Sequence, residues 1–155
     1  MKKIFHLLSV LVVMTLTSSC LTSGLKEIET YEGNEIVSIR TVAHRYYTTE
    51  KIPASDEVKV KQSDLKINGA QRDEKNGTIA VEITIPTNFP KDQIDKVKMS
   101  NLVVIVNIST AATIEPLDVA PKLGVPGDWS KSNKYLVRAA NGKTKEWTIS
   151  LTLKK

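Results

Sequence analysis

The feature that most constrains this chain is a period of two in its apolar residues. Thr78-Ile79-Ala80-Val81-Glu82-Ile83-Thr84-Ile85 sets every second side chain apolar. Successive side chains of an extended backbone point to opposite faces, so Ile79, Val81, Ile83 and Ile85 share one face of a half-buried strand. Trp147, Ile149, Leu151 and Leu153 alternate with hydroxyl residues in the same way near the end. A helix would scatter these side chains around its axis, so the pattern selects a sheet.

Turn residues divide the rest into short extended runs. Ile36 to Tyr47 is rich in β-branched and aromatic residues, and Val58 to Ile67 is a weaker strand ended by Asn68-Gly69. Asn76-Gly77 leads into the alternating run and Pro86 closes it. Asn88 to Lys98 has room for one helical turn but lacks the length of a packed helix. Leu102 to Ile108 is apolar on both faces, as in a central strand covered on each side. Ala112 to Glu115 is short and stops at Pro116. Leu117 to Ser132, with Pro121, Gly124, Pro126 and Gly127, reads as an ordered loop. Tyr135 to Ala140 and Trp147 to Leu153 form a hairpin about Asn141-Gly142, whose residues tolerate the positive φ of a tight turn. About seven strands and no amphipathic helix predict an all-β chain, with an immunoglobulin-like β-sandwich the natural way to bury both sheets.

The N-terminus reads differently. Met1-Lys2-Lys3 precedes an apolar run from Ile4 to Leu16, too short to span a bilayer, and Leu16-Thr17-Ser18-Ser19-Cys20 follows. Small residues ahead of a cysteine suit cleavage by a signal peptidase, and the thiol can accept a diacylglyceryl group. Cys20 is the sole cysteine and has no partner for an intramolecular disulfide. Residues 1–19 are therefore expected to be a cleaved signal peptide, residues 20–33 a lipidated N-terminus and tether, and residues 34–155 the sandwich. An ordinary secretory signal with an incidental cysteine is the competing reading.

Removing nineteen of 155 residues leaves 136, enough for one domain with a single core. Without Lys2 and Lys3 the mature chain carries 20 basic and 17 acidic residues, interspersed, and no nucleic-acid role follows. His44 is its one histidine, so a Ser-His-Asp or Cys-His constellation would have to use it, and no nucleophile elbow lies near. A structural or surface role is the expectation for His44. Zinc and iron sites want several His or Cys ligands, and a phosphate loop wants a glycine-rich run. No metal, cofactor or catalytic residue is predicted; a carboxylate-only hydrolase is the one enzymatic alternative.

Trp129 is the first candidate for ligand contact. It could offer a flat apolar face to a sugar ring, with Asp128 accepting hydroxyl hydrogen bonds; alternatively, its indole covers the open end of the sandwich. Trp147 is in phase with core residues. Tyr46 and Tyr47 must point to opposite faces, leaving at least one as a second contact candidate. Asp92 and Asp95 lack the spaced oxygen ligands of a calcium loop and read as solvated.

Three segments occur in a suggestive order: Ala112-Thr113-Ile114-Glu115-Pro116, Gly124-Val125-Pro126-Gly127-Asp128-Trp129-Ser130, and Tyr135-Leu136-Val137 through Asn141-Gly142 to Trp147-Thr148-Ile149. Over Leu102 to Leu153 the chain resembles the modules of Bacteroidota lipoproteins called domain of unknown function 5018 and its relatives. The resemblance implies an immunoglobulin-like or cadherin-like sandwich on an envelope tether, and it brings no catalytic residues. By analogy, related sandwiches accompany glycan-uptake and adhesion proteins. Such lipoproteins often carry an acidic cluster after the cysteine when bound for the cell surface. Here Leu21-Thr22-Ser23-Gly24-Leu25-Lys26 follows: Leu21 is not the Asp that favours inner-membrane retention, so the outer membrane is expected, and the missing cluster leaves the facing open. The expected function is a lipid-anchored, non-catalytic binding or assembly module. A carbohydrate-binding accessory lipoprotein of a glycan-uptake system is the alternative, and the expected partners are the membrane and a glycan or envelope protein.

Overall fold

A computed structural model describes residues 30–154. The expected signal peptide, the expected lipidation site Cys20 and residues 20–29 of the expected tether lie outside the described residues. Tyr31 to Lys155 is one compact unit, and nine strands make up most of it: β1 (Ile36–Lys51), β2 (Val58–Asp64), β3 (Lys66–Asp73), β4 (Thr78–Thr84), β5 (Leu102–Ile108), β6 (Thr113–Pro116), β7 (Pro126–Gly127), β8 (Asn133–Arg138) and β9 (Thr144–Lys154). One sheet runs β2-β1-β5-β7 and the other β3-β4-β9-β8-β6. The chain is the expected all-β sandwich, with nine strands rather than about seven.

Alternation builds the core. Ile79, Val81 and Ile83 of β4 are buried beside Ile149 and Leu151 of β9, and the two strands run parallel with Ile79 opposite Ile149 and Val81 opposite Leu151. In-register parallel pairing puts both apolar sets on one face. From the other sheet, Ile36, Ile39, Val42, Leu102 and Val104 meet them. Trp147 is fully buried, its Nε1 donating to the Asn34 carbonyl at 3.1 Å. Arg72 of β3 reaches across to the Ile36 carbonyl at 2.9 Å and to Glu35 at 2.6 Å, clasping the start of β1 to the opposite sheet.

Two strand limits differ from the sequence reading. Val58 to Ile67 is not one strand. Leu65 is buried between β2 in one sheet and β3 in the other, its amide bonded to the Val42 carbonyl at 2.8 Å. The chain changes sheets there, and Asn68-Gly69 is not a turn but an irregularity within β3, where the register with β4 shifts. The second difference is β7, a two-residue strand inside the loop, which pairs Pro126 and Gly127 with Val103 and Leu102. The Tyr135 hydroxyl holds the rest of that loop by donating to the Pro121 carbonyl at 2.8 Å.

Candidate functional site

The site arises because β1 is longer than the strand beside it. β1 pairs with β5 from Ile36 to His44, where Leu102 begins β5. Beyond His44, β1 runs on to Lys51 against β2 alone. A two-stranded ribbon therefore extends past the sandwich, with backbone groups on one edge that no strand pairs. Opposite that edge, two short 3-10 turns, Lys91–Lys96 and Met99–Asn101, bring the chain into β5. Between ribbon and turns lies an open cleft of about 600 Å³, within the size range of small-molecule sites. His44, Arg45, Tyr46 and Tyr47 line it from the ribbon, and Gln93, Asp95, Lys96 and Lys98 from the facing segment.

Two polar side chains in its wall are almost wholly buried. His44 and Gln93 are each 4% exposed. Gln93 and His44 are neighbours, but neither imidazole nitrogen of His44 nor the Oε1 of Gln93 meets a partner in full hydrogen-bond geometry. Gln93 Nε2 is used, donating to Asp92 Oδ2 at 2.6 Å. Buried polar atoms normally find partners, and leaving one unmet costs about 1–3 kcal/mol. The His44 ring stacks on Tyr46 with centroids 5.6 Å apart and meets Phe89 at 6.4 Å. Desolvation pushes the His44 pKa below its usual value; Gln93 opposes this as a hydrogen-bond neighbour, and the charge of Lys96 adds to the lowering. Burial thus favours the neutral imidazole, which has one N–H to give and one lone pair to offer.

The charge of the cleft is unbalanced. Arg45, Lys96 and Lys98 face a single lining acid, Asp95. Arg45 bonds to Gln62 Oε1 at 3.1 Å and to the Gly124 carbonyl at 3.2 Å, both neutral acceptors. Among the described residues none of these three cations forms a salt bridge. Tyr47, on the opposite face of β1 from Tyr46, is 75% exposed.

The residues singled out in the sequence fall into three groups. Tyr46 and Tyr47 both line the cleft, one half-buried and one exposed. His44 was expected to be structural or superficial; it is buried, yet it also lines the cleft. Trp129 is only 1% exposed and stacks on Tyr135 with centroids 6.1 Å apart. Its indole offers no free face to a sugar and instead closes the core, with its Nε1 unpartnered. Asp128 is exposed and serves its own turn: its Oδ1 accepts from the Ser130 hydroxyl at 2.6 Å and the Ser130 amide at 2.9 Å, contacts that lower its pKa. Asp92 and Asp95 are exposed, and among the described residues no group of three or more His, Cys, Asp or Glu is placed to hold a metal. Gln93 and Lys96 were missed. Their sequence signal is slight, because only the start of β5 opposite His44 brings them to the ribbon.

The comparisons with known proteins cover this architecture. A family model described as DUF5018-related matches residues 36–150. The chain belongs to the DUF5018-related family. The match runs from the first residue of β1 into β9 and so includes every residue of the cleft, extending well ahead of the Leu102 to Leu153 resemblance. Among solved structures, the chain is similar to a "putative secreted protein" from Bacteroides fragilis. The two are 39% identical with a TM-score of 0.71, over 82% of this chain and 100% of that one. Comparison with curated proteins gives no match. Neither description names a catalytic activity. No helix among the described residues is long and apolar enough to cross a membrane.

Proposed function

We propose that this DUF5018-related chain is a non-catalytic binding module of the cell envelope, tethered by lipid on Cys20 and contacting its ligand at the β1–β2 ribbon cleft. One observation carries the reading: a cleft of ligand size whose wall holds buried, unpartnered polar atoms on His44 and Gln93. Such atoms cost stability in the free protein and are repaid when a ligand bonds to them. The secreted relative and the leader support the compartment. The outer membrane is the proposed address, because Leu21 follows the lipidated cysteine.

Binding without turnover is the testable content. The chain from Cys20 onward, carrying Cys20→Ser, is run through native gels containing polysaccharides of differing charge and then incubated with them. The expected result is retardation by at least one polymer and no new reducing ends. Release of reducing ends that disappears on replacing a single Asp or Glu would overturn the reading in favour of a carboxylate hydrolase. No retardation by any polymer would remove the glycan as the ligand and leave assembly with envelope proteins.

A further inference from the structure

The chemistry of the cleft narrows the ligand, and we infer that it takes a carboxylated saccharide. This inference rests on the reading of the cleft as a binding site. Three observations each demand a different group of the ligand. The first is the wall. A neutral imidazole presents one donor and one acceptor, and Gln93 Oε1 presents a second acceptor. Phosphate or sulfate has acceptors almost alone and would set oxygen lone pairs against Gln93 Oε1. A sugar hydroxyl both donates and accepts, so it suits a wall that holds both kinds of group.

The second is the charge. Arg45, Lys96 and Lys98 against Asp95 leave the cleft with an excess of positive charge and no salt bridge of its own among the described residues. A neutral sugar leaves those cations unused, whereas a carboxylate pairs with them through charge-assisted hydrogen bonds. The third is the rim. Tyr47, 75% exposed, offers an aromatic face, and the C–H face of a pyranose is apolar and flat enough to lie on it. Hydroxyls, one carboxylate and a C–H face on one small molecule describe a uronic or other sugar acid. The unpaired backbone edge of β1 beyond His44 adds further donors and acceptors beside it.

Isothermal titration of the Cys20→Ser chain with tetragalacturonate, and with the same oligosaccharide fully methyl-esterified, separates the terms. The acid is expected to bind and to weaken with added salt, and the ester to bind at least about tenfold more weakly. Lys96→Gln and Lys98→Gln, at exposed positions that leave the fold intact, should each weaken the acid by roughly tenfold and leave the ester unchanged. Hyaluronan tetrasaccharide and sialyllactose serve as further acidic probes. Equal binding of acid and ester would overturn the inference while leaving the binding module standing. Full competition by inorganic phosphate would overturn it in favour of a simple anion site. Binding of no acidic probe would overturn it outright, and retardation by a neutral polymer would then still uphold the module.

Discussion

His44 concentrates the physical tension of the molecule. Its imidazole is held between Tyr46 and Phe89, out of water, with a folded-state pKa below its value in the unfolded chain. A depressed pKa means that the folded state prefers the neutral ring. The corresponding stability is present above the unfolded value and is lost as pH falls through the folded one. Glu50, Asp73, Glu74 and Asp128 are also depressed, held down mainly by hydrogen bonds, but from ordinary values near 4. Their contribution is lost only at lower pH. Urea unfolding at about pH 7.5 and about pH 5.5 therefore isolates the histidine. The wild-type midpoint should fall across that interval, and His44→Phe, which keeps a ring in the stack, should flatten the fall. An equal fall in both proteins would place the acid sensitivity elsewhere.

At the scale of elements, two glycines distinguish the hairpins. Gly77, with φ of 63°, ends the β3–β4 turn, and a Cβ there would run into the Glu146 carbonyl oxygen. Gly142, with φ of 86°, ends the β8–β9 turn in open space. Gly142→Ala should cost about 1 kcal/mol for the left-handed backbone alone. Gly77→Ala should cost roughly 2–3 kcal/mol, since collision adds to conformation. Equal losses in chemical denaturation would contradict the close approach. The Asn-Gly pairs at 76–77 and 141–142 were legible as turns, although only the glycine of each has positive φ, whereas the same dipeptide at 68–69 lies within β3. The alternating strands β4 and β9 were legible too, because one buried face against one open face writes itself into the sequence. The sheet change at Leu65 was not, because no glycine or proline marks it and a leucine is as ordinary in a strand as between two. Tyr46 and Tyr47 were flagged as an adjacent pair, whereas Gln93 and Lys96 owe their place to strand pairing that alternation does not encode. Trp129 shows the opposite failure: a Pro/Gly-bounded tryptophan looks presentable in sequence, but stacking on Tyr135 puts it inside.

At the scale of the whole molecule, the family match from residue 36 to residue 150 makes the sandwich and its cleft one unit. The leader would set that unit at a membrane. Cells expressing the full chain and fed an alkyne fatty acid should label it, and Cys20→Ala should abolish the label; a label surviving that change would remove the proposed anchor. The central claim is that the ribbon cleft is a contact surface rather than a flaw in packing. Its most direct test is amide chemical-shift mapping of the isotope-labelled Cys20→Ser chain during titration with acidic and neutral oligosaccharides. Saturable shifts confined to residues 44–47, Val60 and residues 93–101 are the predicted result. Saturable shifts centred anywhere else on the sandwich, with this segment unmoved, would contradict it.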